Sequence, residues 1–188
     1  MFGDLGRLAL TDYRPFVPVC AKAYLARPDF EPSVVYSWKA LSKHIDVMFQ
    51  RLQSRVEVIF TEQDPYPDFR AMARDIKQNH RMKIFTGSSD HPVFTPEQNW
   101  RFRAVHDYVA HAGGEHEFTL RGEMAAYNRH VKLAPPAARL ALFVEVPAQT
   151  TTFFYTGKFG AQKVCNMYGF DFVNVGEYDP REYERNFR

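Results

Sequence analysis

The chain is poor in cysteine. It has Cys20 and Cys165, far apart in sequence. Neither sits in a CxxC or related ligand spacing, which excludes a zinc ribbon, and a disulfide framework is not expected. A reducing, cytoplasmic type of compartment follows. Long hydrophobic runs are also missing. The longest, around LALFVEV, is far below the roughly 20 residues that span a bilayer, so a soluble protein with no membrane anchor is expected. The opening MFGDLGRLALTDYRPF lacks the basic start and continuous apolar core of a secretory signal. Charge of one sign is not in excess: the formal net charge is +2, which neither requires nor excludes nucleic acid. There is no HExxH, no HxH, no ExxH pair and no GxSxG, so the common zincin, di-iron and serine-hydrolase signatures are absent. No internal repeat, low-complexity tract or linker breaks the chain.

What is present is ordinary globular composition. The 188 residues are 45% hydrophobic and 24% charged, with Phe 17 and Tyr 10, enough for one domain over 1–188 with a substantial core. Residues 1–32 carry Pro15, Pro18, Pro28 and Pro32 and read as an irregular arm with a short helix near Val19–Leu25. Ser33 is placed to cap a helix reaching Ser54, whose Val34, Trp38, Leu41, Ile45, Met48 and Leu52 fall at helical spacing. Residues 55–86 read as strand, helix, strand: Arg55–Glu62, Asp68–Asn79 and Arg81–Thr86. A parallel crossover is the usual solution, with an antiparallel arrangement open because the connection is short. Thr95-Pro96-Glu97-Gln98 is a capping-box start, and Gly113-Gly114 is the matching stop. A helix over Thr119–Leu133 follows, then one opened by Pro135-Pro136, which Pro147 kinks or ends. Ala161–Met167 reads as a short helical piece, Phe170–Val175 as a last strand, and 177–188 as a loose tail. The expected fold is α+β and predominantly helical, a bundle-like core with a small sheet of two or three strands.

The helical core at 96–149 carries the chemistry. Its three helices place ionisable groups inside apolar text: His106, Asp107 and His111 on the first, Glu123 and His130 on the second, Glu145 and Gln149 on the third. Such groups are costly to bury unless paired or metal-bound. Asp107 and His111 are four apart and share a face of a regular helix; Glu123 and His130 are seven apart, two turns along one stripe. His106 is about 100° from Asp107 and faces elsewhere. Three helices can thus converge on a shared centre, as bundles do. His111, Glu123 and His130 are the expected ligands. His106 is a further ligand or a satisfied core histidine, and Asp107 a fourth ligand or the carboxylate that orients a histidine. Glu145 is the candidate general base and Gln149 a polarising or orienting group. The mixed donor set suits zinc, iron or manganese better than calcium, and an open position would acidify bound water. Arg103 and Arg121 either neutralise the carboxylates or hold an anionic substrate, and His91 lines the pocket.

Other features carry less. His116 reads as solvated, His44 as a surface or interface residue and His80 as a helix end. Thr156-Gly157-Lys158-Phe159-Gly160 lacks the spacing of a phosphate loop and reads as a turn. Cys165 has no neighbour that would activate it. Arg51, Arg55, Arg70, Arg74 and Arg81 are scattered near the strand–helix–strand unit and read as a solvated face rather than a nucleic-acid stripe.

The segments FRAVHDYVAHAGG, RGEMAAYNRH and VEVPAQT, with DHPVFTPEQN upstream, resemble a group of uncharacterised bacteriophage-encoded proteins. The shared pattern is FRAVHDxxxH, GExxAYxxH and ExxxQ, over roughly residues 55–165. The resemblance implies a phage or prophage origin, hence the host cytoplasm, and carries no established activity. The matching residues are His91, His106, Asp107, His111, Glu123, His130, Glu145 and Gln149. The expectation is a metal-dependent hydrolase acting on a small nucleotide-like or phosphorylated substrate. The rival is a non-enzymatic phage protein, a virion component or host-protein inhibitor, whose polar residues form a structural network.

Overall fold

The computed structural model describes residues 14–167, 169, 170 and 172. Most of the irregular arm's beginning, most of the strand expected at Phe170–Val175 and all of the tail at 177–188 lie outside them. The architecture is α+β and predominantly helical, with a two-stranded parallel sheet. No helix among the described residues is long and apolar enough to cross a membrane.

Among the described residues helix α1 (Phe16–Leu25) comes first, longer than the short piece expected within the arm. A tight 3-10 turn at Pro32–Val34 leads into α2 (Val35–Gln53). Ser33 is therefore inside the turn and does not cap the helix; Val34 occupies the cap position without a side-chain bond. Proline can start this turn because its missing N–H is not needed there. The inward stripe of α2 is Trp38, Leu41, Ile45, Phe49 and Leu52, with Met48 only partly covered. Burial of each such aliphatic side chain contributes about 1.5–3 kcal/mol.

Strands β1 (Glu57–Thr61) and β2 (Arg81–Phe85) pair in parallel, Glu57 opposite Arg81 through Thr61 opposite Phe85. The crossover helix between them is α3 (Phe69–Asn79). Asp68 caps it by accepting from the Ala71 N–H at 2.7 Å, and His80 ends it in the left-handed region at φ 48°. That reversal feeds the chain straight into β2. Asp75 then ties the unit together, accepting from Arg81, Asn79 and Tyr66.

The second half supplies Glu123 and Glu145, the carboxylates of the two polar clusters. Helix α4 (Pro96–Val105) starts with the capping box foreseen at Thr95 and Gln98. It does not stop at its last α-turn but widens into a π-helical segment, His106–Ala112. Helix α5 (Leu120–Leu133) is capped by Thr119, which accepts from the Gly122 N–H at 3.1 Å. After a 3-10 turn at Pro136–Ala138 come α6 (Arg139–Phe143), a second π segment (Val144–Ala148) and α7 (Gln149–Thr156). Pro147 neither ends nor visibly breaks this run. It lies inside the π segment, where the wider winding takes the chain past a residue that would disrupt an α-turn. Gly157 closes α7 with φ 78°.

The piece expected to be helical at Ala161–Met167 is extended instead. Val164 bridges Phe30 in parallel, with Glu31 N–H to the Val164 carbonyl at 2.7 Å and Val164 N–H to Asp29 at 2.9 Å. Val, Cys and Asn are weak helix formers, and these backbone groups find partners across the chain rather than along it. Trp38, Tyr127, Leu142 and Phe143 are fully buried at the centre, where α2, α5 and α6 meet.

Candidate metal centre

The first π segment builds the site. On a regular α-helix, residues five apart are about 140° out of line. Bonds that close from i to i+5 bring them nearly into one column. His106 and His111 are such a pair, and their rings meet edge-on with centroids 5.0 Å apart. Glu123 arrives from the first turn of α5, where a carboxylate also suits the positive end of the helix dipole. Its Oε2 lies 3.3 Å from His111 Nε2 and 3.7 Å from His106 Nε2. One ligand atom from each of the three residues falls within 4.8 Å of the other two, a group that could hold a metal ion. His111 is almost fully covered at 1%, whereas the Glu123 side chain keeps 22% of its exposure. The group is therefore closed on the His111 side and partly open along the Glu123 side chain.

Each imidazole is oriented from behind. His111 Nδ1 lies 2.8 Å from the His116 carbonyl, which can only accept, so Nδ1 carries hydrogen and Nε2 points at Glu123. His106 Nδ1 faces His130 Nδ1 at 3.3 Å, and His106 Nε2 is buried with no hydrogen-bond partner. Gly122 permits the approach of α5 to this loop, since a Cβ there would overlap the Glu117 carbonyl.

The electrostatics follow from the same contacts. Burial alone would raise the Glu123 carboxyl, but the adjoining His106 and His111 imidazoles hold it down at about 2. Burial opposes charge on His111 too; its hydrogen bond to Glu123 and the negative charges of Glu123 and Asp107 outweigh that and raise its pKa. His130 is pushed well down by burial, then by His106 and His44. Burial pushes Asp107 up against the pull of His111 and His106, and the Glu123 charge adds to the rise. Two imidazole nitrogens and a carboxylate form the donor set of many zinc and iron centres, three protein ligands with room for a further one.

The other expected site residues are distributed as follows. His130 lies behind His106 rather than in the group of three. Asp107 stands within electrostatic reach of all three and makes no hydrogen bond among the described contacts. Glu145 belongs to a different cluster. Its Oε1 accepts from Trp38 Nε1 at 2.7 Å and pairs with His91 Nε2 at 3.0 Å, and its Oε2 accepts from Gln149 at 2.7 Å. His91 Nδ1 accepts the Val93 and Phe94 N–H groups at 2.9 and 2.8 Å, so Nε2 carries the hydrogen given to Glu145. Phe94 and Phe102 stand between the two clusters: Phe94 stacks on His91 at 4.5 Å and Phe102 on His106 at 6.0 Å. Arg103 donates to the carbonyls of Phe85, Gly87 and Ser88, at 2.7–2.9 Å, and so fastens the turn after β2. Arg121 is exposed on α5.

Sequence reasoning gave little weight to His44 and His116. His44 has a buried, unpartnered Nε2 and its ring lies 5.9 Å from that of His130; His116 contributes its carbonyl to His111. Trp38, read only as core, supplies an N–H to Glu145. The cue available in sequence was the general need of a buried indole N–H for an acceptor. Comparison with protein-family models, curated proteins and solved structures returned no match.

Proposed function

We propose that the chain is a metal-dependent hydrolase whose centre is His106, His111 and Glu123. The observation that carries this reading is the convergence of three ligand atoms within 4.8 Å, two of them on buried imidazoles and the third on the carboxylate of a partly covered glutamate. A zinc, iron or manganese ion held there would supply acidified water near neutral pH. Asp107, beside the three ligands, is the group that takes up a proton, because burial and the Glu123 charge make it more basic than a free carboxyl. Glu145, with three hydrogen bonds already on its oxygens, serves the second cluster instead.

The substrate is a small phosphorylated or nucleotide-like molecule, and the setting is a phage product in the host cytoplasm. A groove of about 400 Å³ is lined by Phe69, Arg70, Lys77 and Ala112 among others. Phe69 touches Phe118, which packs against His111 at 4.9 Å. Arg70 and Lys77 share that groove with Glu115 and Glu117, and Arg70 pairs with Glu117 at 3.5 Å, so Lys77 is the cation that would meet a phosphate there.

A second reading has its own support. A protonated His111 paired with ionised Glu123 satisfies both groups with no metal, which suits a virion component or a host-protein inhibitor with a structural polar network. Elemental analysis of protein purified without chelator separates the two. One transition-metal ion per chain, lost in His111→Ala while the fold persists, supports the enzyme. Metal-free protein that unfolds on the same substitution supports the scaffold.

A further inference from the structure

We infer that His130 is the positioning residue for the metal ligand His106, accepting the His106 Nδ1–H and so turning the His106 Nε2 lone pair toward His111 and Glu123. The inference rests on the metal-centre reading above and deepens it. A neutral imidazole has one N–H. The two Nδ1 atoms, 3.3 Å apart, therefore share a single proton between them. Once His106 Nε2 gives its lone pair to a cation, its proton must sit on Nδ1, and His130 must accept there while carrying its own proton on Nε2. No other partner of His106 Nδ1 occurs among the described contacts.

Packing holds this alignment. Phe102 stacks on both rings, 6.0 Å from His106 at 17° and 6.3 Å from His130 at 21°. His130 is wholly buried, so water does not compete for its Nδ1. Its outer nitrogen, Nε2, lacks a protein partner, as does Nε2 of the neighbouring His44. A merely packed aromatic would serve as well as histidine in such a place; an acceptor at the Nδ1 position is what chemistry demands. Partners of this kind typically change metal affinity about 10- to 100-fold when lost.

The amide of asparagine reaches the Nδ1 position of a histidine, and that of glutamine reaches the Nε2 position. Zinc affinity is measured by competition with a chromophoric chelator for the full chain, its His106→Ala control and His130→Asn, His130→Gln and His130→Leu, each checked for fold by circular dichroism. His130→Asn should stay within a few-fold of the parent, and His130→Gln should lose about 10- to 100-fold. Nitrogen-15 spectra of the zinc-loaded parent should show His106 protonated at Nδ1 and His130 at Nε2. Equal affinity of the Asn and Gln variants, or a His130 protonated at Nδ1, overturns the inference and leaves the metal centre standing. A folded parent that binds no zinc overturns the metal centre, and this inference with it.

Discussion

Two polar clusters, parted by Phe94 and Phe102, obey opposite rules. Around Glu145 each described donor meets an acceptor: Trp38, His91 and Gln149 all point at one buried carboxylate, and backbone N–H groups fill the far side of His91. Around Glu123 the contacts are longer, His106 Nε2 has no partner, and the Glu123 side chain is only partly covered. A closed network resists any ligand, because binding would first have to break charge-assisted bonds. An open one has lone pairs to offer. Burying ionisable groups on neighbouring helices is thus not itself a sign of chemistry; unspent bonding capacity is.

The largest test of that contrast is Glu145→Ala. It leaves the Trp38, His91 and Gln149 donors stranded and should cost about 4 kcal/mol in urea unfolding. Retention of full stability would remove the closed cluster from its structural role. Next is Gly122→Ala, whose added carbon meets the Glu117 carbonyl. It should cost about 3 kcal/mol and weaken zinc binding, because the same loop carries the His116 carbonyl. Tryptophan fluorescence from Trp38 should be unchanged if the two clusters are independent.

Zinc at a hundred times its dissociation constant should stabilise the chain by about 2.7 kcal/mol, read as a rise in unfolding midpoint. Glu145→Gln should keep that response and His111→Ala should lose it; the reverse pattern would exchange the roles of the clusters. Without metal, Glu123→Ala should cost only about 1–2 kcal/mol, since it removes a largely covered pair but leaves His111 free to become neutral. The smallest effect lies outside both clusters. Burial works against the charged form of Asp75, but hydrogen bonds from Arg81, Asn79 and Tyr66 lower its carboxyl from 3.8 to about 2. A depressed folded value means the contribution is complete above about pH 4 and lost as pH falls through 2. Asp75→Asn should flatten that part of the stability–pH curve, and an unchanged curve would show the pairing to be inert.

Several of these features were legible as text. The capping box at Thr95 and Gln98 and most of the α2 stripe depend on neighbours within a few residues; the strand–helix–strand order was legible too, but its parallel pairing joins Glu57 to Arg81 and stayed open. The ionisable residues of the core were legible too, but not their grouping. Arithmetic at 100° per residue aligned Asp107 with His111 and set His106 aside, whereas the π segment brings His106 and His111 together. The backbone bond that Pro147 removes likewise announced a kink or an end that the second π segment absorbs. Val164 is paired across the chain with residues 29–31, so no local pattern announced its extended form.

The amino-acid order alone determined that this is a mostly helical α+β protein with costly polar groups in its interior, because periodicity and end-capping act over one or two turns. Which of those groups meet, and which keep a free lone pair, was decided only by tertiary structure. Helix winding responds to what packs against it, and one extra residue per turn rotates every later side chain onto a different face.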